Sequence, residues 1–131
     1  MAAINQIALV GHCAADTHML ADWVNRMAKG VPVVSIGDTQ ALESCAQPET
    51  LVLINRVLDG LFETDGGIDL IRMLSQRKNA PLMMLISNYD DAQQAAVEAG
   101  AIRGFGKSSL QDSDTTTLLQ RVLHDLDDGS S

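Results

Sequence analysis

The most reactive side chains of the sequence stand together in Gly11-His12-Cys13, directly after an apolar run at residues 7–10. A thiol beside an imidazole could form a nucleophile, a redox thiolate or part of a soft metal site. Neighbouring residues of an extended chain point to opposite faces, however, so sequence adjacency does not make His12 and Cys13 a pair. The chain contains no HExxH or CxxC motif. We therefore favour structural roles for both residues over a metal or redox site.

Lys107 lies in a second segment whose residue types could bind a ligand. Residues 104–109 read GFGKSS, which imitates the end of a phosphate-binding P-loop. A P-loop needs a further glycine upstream, and that position is Ala101, so ATP binding is not predicted. A lysine beside Ser87 and backbone amides could still form a weak sulfate or phosphate site.

The elements that must position these residues are indicated by apolar runs of about strand length. The runs cover residues 7–10, 31–36, 51–54, 82–86 and 101–106. Several are apolar throughout, which is typical of strands buried on both faces of a parallel sheet. The segments between and after them have helical periodicity. The predicted helices are one capped by Asp16 or Thr17 and running to Lys29, a short one over 41–46, one over 68–77, one capped by Asp90 or Asp91 and running through Glu98, and one opened by Asp114.

The repeated strand–helix order predicts an α/β fold. We expect a flavodoxin-like (βα)5 doubly wound parallel sheet with strand order 2-1-3-4-5. Residues 1–131 would form a single domain with a frayed acidic tail at about 127–131. Ligands of such folds bind beyond the carboxyl ends of the strands. That edge would bring together Gly11, His12, Asn55, Ser87 and Lys107.

Composition and charge narrow the class of protein. Apolar residues make up 46% of the 131 residues and aromatics 3%, so Trp23 and the six methionines are expected in a largely aliphatic core. The formal net charge of −8 would repel phosphate backbones, which argues against nucleic-acid binding. No apolar run is long enough to span a membrane, and Cys13 and Cys45 do not make a disulfide framework. We expect a reduced, cytoplasmic protein.

Several segments match one known pattern in order and spacing. Residues 51–55 read as a strand that ends in a polar residue, and the Asp-Gly-Gly at 65–67 precedes a helix. Residues 81–88 form the next strand, followed by a helix that ends in Glu-Ala-Gly-Ala at 98–101, and Lys107 comes six residues after that last alanine. In these features the chain resembles the receiver domain of two-component response regulators over nearly its whole length.

The resemblance assigns the phosphorylation site of that family to five positions of this chain. The family's acidic pair, which holds magnesium, matches Gly11 and His12, and neither residue suits that ion. The family's phospho-accepting aspartate matches Asn55, whose carboxamide is a far poorer nucleophile. The Ser/Thr and lysine positions match Ser87 and Lys107. The resemblance therefore implies a degenerate receiver, or pseudo-receiver, with no catalytic residue, metal or cofactor, which does not autophosphorylate.

The resemblance also bears on how the chain would meet other proteins. The family's switching aromatic in the fifth strand matches Gly104, and its proline after the lysine matches Ser108, so the conformational relay is incomplete. The family pairs through the face built from the fourth helix, the fifth strand and the last helix. We expect Tyr89, Arg103 and Phe105 on this interaction face, which could also support a homodimer.

The predicted function is a two-component-type signalling module that works by phosphorylation-independent protein–protein interaction and is not an enzyme. Its partner would be a histidine kinase, another regulator or a second copy of itself, with no nucleic acid and no membrane. The alternative is a sensor of a small anion or small molecule, using the pocket near Lys107 and Ser87. An enzyme with the same fold is a third class, and no motif in the sequence supports it.

Some residues keep more than one interpretation. Asn55 could satisfy loop backbone groups or contact a ligand, and we favour the first. Asp59 is the nearest substitute carboxylate, but Asp-Gly at 59–60 is typical of a turn. The acidic loop 56–67 could bind a partner or be a solvated insertion, and the second is favoured. Without an aspartate at position 55, the partner of Lys107 could be Asn55, Asp16, Asp38 or a bound anion.

Overall fold

Strands and helices alternate through residues 4–62 and 64–128, the part of the chain that this computed structural model describes; side chains are described as far as residue 123. The strands are β1 (Gln6–Val10), β2 (Val33–Ile36), β3 (Thr50–Asn55), β4 (Leu82–Ile86) and β5 (Ile102–Phe105). The α-helices are α1 (Ala14–Met27), α2 (Thr39–Cys45), α3 (Gly67–Ser75), α4 (Asp90–Ala99) and α5 (Ser113–Asp128), with a 3₁₀ turn at Lys107–Ser109. All strands run parallel in the order β2-β1-β3-β4-β5. The predicted flavodoxin-like (βα)5 sheet is confirmed.

The sheet is buried on both faces, which explains why its strands read as apolar throughout. Residues of one strand alternate between two cores: Ala8 and Val10 pack toward α2, α3 and α4, whereas Ile7 and Leu9 pack toward α1 and α5. Within the second core the rings of Trp23 and Phe105 lie 5.2 Å apart. Burying side chains of this size stabilises the fold by about 1.5–3 kcal/mol each.

The prediction that the methionines are in the core is confirmed for some of them only. Met83 and Met84 are buried in the sheet, whereas Met19 on α1 is 39% exposed. Met1 lies outside the described residues. The tail predicted to fray at 127–131 is described only as helical backbone to Asp128.

Two of the predicted helix caps are wrong. The N-cap of α1 is Cys13, so Asp16 lies inside the first turn instead of before it. The N-cap of α4 is Tyr89, and Asp90 and Asp91 both belong to its first turn. At α2, by contrast, the Asp38 carboxylate accepts a hydrogen bond from the Ala41 amide at 2.7 Å, as a capping side chain should.

The second strand is shorter than the apolar run that predicted it. It begins at Val33 because Pro32 has no N–H to donate to the ladder, although its carbonyl accepts a bond from the Ile7 amide at 2.9 Å. Among the described helices, none is long and apolar enough to cross a membrane.

Candidate functional site

Three of the residues predicted for the pocket line one cavity at the carboxyl edge of the sheet. Asn55 ends β3, while Ser87 and Lys107 follow β4 and β5. With Arg56 and Tyr89 they surround a cavity of about 240 Å³. Gly11 adjoins this group through its backbone, and His12 turns its side chain elsewhere.

Both polar atoms of the Asn55 side chain make hydrogen bonds. Its Nδ2 donates to the Val57 carbonyl at 2.7 Å and to the Gly11 carbonyl at 3.2 Å. Its Oδ1 accepts from the Lys107 Nζ at 3.3 Å. An ionised aspartate could not make the two donated bonds, because a carboxylate has no proton to give. The geometry agrees with the interpretation that Asn55 closes the loop after β3.

Lys107 has a carboxylate partner that is not in the family's position. Its Nζ lies 2.6 Å from the Asp16 Oδ2, and the two side chains are 25% and 33% exposed. The hydrogen bond from Lys107 lowers the pKa of the Asp16 carboxyl below its ordinary 3.8, outweighing the opposing effect of desolvation. Of the partners that the sequence left open, the structure selects Asp16 first and Asn55 second.

Leu58 lies where a side chain of residue 11 would project. Gly11 has a φ of +77°, and a Cβ added there would lie 2.6 Å from the Leu58 Cδ2. The Asp59 amide donates to the Gly11 carbonyl at 2.9 Å and so holds Leu58 in place. The left-handed backbone disfavours a larger residue at this strand end, and a Cβ there would also displace the Leu58 side chain and lie 3.2 Å from the Leu58 Cα.

The loop between β3 and α3 is docked on the sheet edge. The Leu61 amide donates to the Gly37 carbonyl at 2.8 Å, and the Leu61 carbonyl accepts from the Thr39 amide at 3.2 Å. Gly60, with a φ of +131°, makes this approach possible, since a Cβ there would lie 2.4 Å from the Gly37 oxygen. The loop is therefore solvated, as expected, with Leu61 82% exposed, but its backbone is tied to the sheet edge; Glu63 lies outside the described residues.

The imidazole of His12 belongs to the interior. The residue is 9% exposed, and its Nε2 lies 3.0 Å from the Leu53 carbonyl. A carbonyl only accepts, so Nε2 carries the proton, while Nδ1 is buried without a hydrogen-bond partner among the described residues. Burial lowers the pKa of His12 below 6.5. Cys13, in contrast, is exposed, so the two side chains do not act together.

The side chains at the family's magnesium position do not fit that ion. Gly11 offers no ligand and is covered by Leu58, and His12 is turned toward Leu53. The Asn55 oxygen is already bonded by a lysine. Magnesium requires hard oxygen ligands in near-octahedral geometry, which these groups do not supply. Among the described residues, moreover, no group of three or more His, Cys, Asp or Glu side chains could hold a metal.

A buried glutamine bridges the last two strands. Gln93 on α4 is 3% exposed; its Nε2 donates to the carbonyls of Leu85 at 2.9 Å and Ser87 at 3.1 Å, and its Oε1 accepts from the Gly104 amide at 2.9 Å. These bonds lie where the register of β4 and β5 shifts. A Cβ on Gly104 would lie 2.2 Å from the Leu85 oxygen. The Gln93 amide thus completes the ladder at the position that resembles the family's switching aromatic.

The expected interaction face is only partly exposed. Tyr89 is 62% exposed, and Arg103 is exposed with its guanidinium 2.7 Å from the Asp90 carboxylate. Phe105 is 6% exposed and packs on Trp23, which corrects the expectation that it faces a partner. The cause is the shift in register: Met84 pairs with Ile102, but Ile86 pairs with Phe105, so β5 carries one extra residue and Phe105 turns inward.

Ser87 and Asn88 stabilise the loops around the cavity. The Ser87 hydroxyl accepts from the Tyr89 amide at 3.2 Å. The Asn88 Oδ1 accepts from the backbone N–H and the hydroxyl of Ser108, at 3.2 and 2.9 Å, and a Cβ on Gly106 would collide with it. The loop that carries Lys107 is thereby tied to the end of β4.

Sequence reasoning missed Leu58 and Gln93. Leu58 is a single apolar residue in an acidic loop, and nothing local predicts that it covers Gly11. Gln93 carried a signal, because it precedes the buried Ala96 by one helical turn and so lies on the packed face of α4.

The fold is that of solved receiver domains. A response regulator from Colwellia psychrerythraea is 19% identical, with a TM-score of 0.62 over 97% of this chain and 99% of that one. The signal receiver domain of the DNA-binding response regulator merR from Colwellia psychrerythraea 34H is 12% identical, with a TM-score of 0.68 over 91% and 98%. NtrX from Brucella abortus is 21% identical, with a TM-score of 0.70 over 95% of this chain and 27% of its own. No protein-family model matches the sequence, and no curated protein is significantly similar to it.

Proposed function

We propose that this chain is a receiver-like signalling module that acts by protein–protein interaction without a phosphoryl cycle. The observation that carries the proposal is the state of Asn55, which ends β3 where the fold's phospho-accepting aspartate would stand. Its amide donates to two loop carbonyls and accepts from Lys107. A carboxamide is a far poorer nucleophile than a carboxylate and brings no negative charge to pair with a metal ion.

The charges near this position support the same proposal. Phosphoryl transfer to a carboxylate needs a cation to offset the negative charge that develops on the phosphoryl oxygens. Here the Lys107 ammonium is paired with Asp16 at 2.6 Å, and the magnesium position is covered by Leu58. No catalytic residue is assigned, and we propose that the chain is not an enzyme.

The same pairing weighs against the alternative function, a sensor of a small anion in the pocket near Lys107 and Ser87. An anion would have to displace the Asp16 carboxylate from Lys107. The Tyr89 amide is not available to an anion either, because it already donates to the Ser87 hydroxyl. Binding to proteins through exposed groups such as Tyr89 and Arg103 is the better supported function, with a kinase, another regulator or a second copy as the partner.

The test is intact mass after incubation with acetyl phosphate and magnesium. We expect no acid-labile phosphoryl group on the wild type, and none on Asn55→Asp, because that variant still lacks the magnesium ligands. A receiver domain with its complete acidic site is the positive control. Phosphorylation of the wild type would overturn the proposal, with Asp59 the first residue to map. Phosphorylation of the variant would contradict the inference that the magnesium site is lost.

A further inference from the structure

We infer that the groove between the first turns of α3 and α4 binds a cationic segment of another protein, which inserts an apolar side chain. This inference rests on the proposed function and names the chemistry of its partner. The groove, called here the Arg56–Tyr89 groove, has Ile68, Ala92 and Ala95 at its base. It lies beside the cavity of Asn55 and Lys107, on the other side of α4 from the expected α4–β5–α5 face.

The groove is continuous across several cavities. A cavity of about 390 Å³ is bounded by Arg56, Ile68 and Tyr89, and one of about 420 Å³ by Arg56, Val57 and Ile68. Because the two share Arg56 and Ile68, they form one depression. The cavity beside Asn55 joins them at Arg56 and Tyr89. This depression can accept a side chain larger than a methyl group without rearrangement.

Two apolar side chains of the groove are exposed. Tyr89 and Val57 are each 62% exposed, although most large apolar side chains of this chain are buried. The Arg56 guanidinium lies 5.6 Å from the centroid of the Tyr89 ring, a cation–π arrangement that orients both side chains. Tyrosine and arginine are enriched among the residues that carry most of the binding energy at interfaces.

The charge at the rim selects the kind of partner. Exposed carboxylates of Asp65 and Asp91 border the groove, and a third, Asp69, is paired with Arg72 at 2.7 Å; Arg56 is the one cation among the described residues that line these two cavities. A second copy, with a net charge of −8, would bring the same carboxylates against these. A segment with Lys or Arg beside an aliphatic or aromatic residue is complementary to both the rim and the base.

The experiment is peptide selection followed by affinity measurement. A phage-displayed random-peptide library is selected on the immobilised wild type, with counter-selection on an Arg56→Ser/Tyr89→Ser variant. We expect the selected peptides to carry Lys or Arg flanking an apolar residue. Synthetic copies, measured by fluorescence polarisation, should bind Tyr89→Ala at least about tenfold more weakly than wild type. They should also weaken with Asp65→Asn/Asp91→Asn and with added salt.

Variants outside the groove serve as controls. Arg26→Ala and Leu61→Ser change exposed residues that do not line it and should leave the peptide affinity unchanged, and thermal melts check that each variant is folded. The inference is overturned if no selected peptide depends on Arg56 or Tyr89, if the dependent peptides are acidic, or if light scattering shows that the groove joins two copies. None of these results would alter the acetyl phosphate outcome, so failure here is distinguishable from failure of the proposed function.

Discussion

Replacement of Gln93 by alanine is the most informative single perturbation of this fold. The substitution removes the amide that bonds the Leu85 and Ser87 carbonyls and the Gly104 amide. The bonds to Leu85 and Gly104 are buried, and a buried group left unpaired costs about 1–3 kcal/mol. We therefore expect Gln93→Ala to lower the free energy of unfolding by about 2–4 kcal/mol, a large part of the 5–15 kcal/mol of a typical domain.

The matched control is the next residue. Gln94 is exposed, and its amide donates to the exposed Glu98 carboxylate at 3.3 Å, so Gln94→Ala should change the free energy of unfolding by no more than about 0.5 kcal/mol. Both variants replace a glutamine of α4 by alanine, so the change in helix propensity is the same. The difference between their free energies of unfolding therefore reports the buried contacts of Gln93. Urea unfolding followed by circular dichroism at 25 °C gives both values.

A charge variant separates loss of hydrogen bonds from loss of volume. Gln93→Glu keeps the size and the acceptor for the Gly104 amide, but an ionised carboxylate cannot donate to Leu85 or Ser87. The buried acid should therefore be protonated in the folded state, with its pKa raised above that of the unfolded chain. Measured relative to the wild type at each pH, the stability of the variant should be highest in acid and fall as the pH rises through the folded-state pKa of Glu at position 93. If Gln93→Ala loses less than about 1 kcal/mol, or Gln93→Glu shows no such pH dependence, the bridging role is refuted.

Three further predictions concern the pocket. Burial lowers the pKa of His12 below 6.5, so in acid the unfolded state binds a proton that the folded state does not. The free energy of unfolding should therefore fall as the pH drops below about 6.5. His12→Gln should reduce this pH dependence, as measured by urea unfolding at several pH values. A double-mutant cycle of Lys107→Met and Asp16→Asn should give a coupling energy of about 1 kcal/mol that is reduced by added salt. The coupling should be lost in acid, below the lowered pKa of Asp16, because the ion pair needs the ionised carboxylate. Additive effects of the two substitutions would mean that the contact does not stabilise the fold. Gly11→Ala should destabilise by at least about 1–2 kcal/mol because of its positive φ, and a Leu58→Ala partner should recover part of the excess, as seen in thermal melts.

The fold could be predicted from the sequence because short apolar runs and helical periodicity indicate its strands and helices one by one. Runs such as 51–54 and 82–86 are apolar throughout, and only a sheet covered on both faces buries such strands. The caps predicted at Asp16 and Asp90 are wrong because Cys13 and Tyr89 are the N-caps, and both carboxylates pair instead with Lys107 and Arg103. Those partners are distant in sequence, and capping rules consider only neighbouring residues.

The sequence predicts which residues line the pocket, but not how their side chains are oriented and hydrogen-bonded. Asn55, Ser87 and Lys107 each follow a strand, so topology alone brings them to one edge. That Phe105 turns inward depends on an extra residue in β5, which shifts every later side chain to the other face. Period-two alternation gives no sign of such a bulge.

The residues at the receiver-like site depend on one another. Leu58 covers the strand end where Gly11 has no side chain, Asp16 neutralises the lysine that an aspartate at position 55 would pair with, and Gln93 occupies the region beside Gly104. A single change toward the receiver pattern would therefore conflict with a neighbour: Asn55→Asp would lose two donated bonds and compete with Asp16 for Lys107. Under the proposed function, a phosphorylatable site would therefore require changes at several positions together, and the signal would come from what binds the surface.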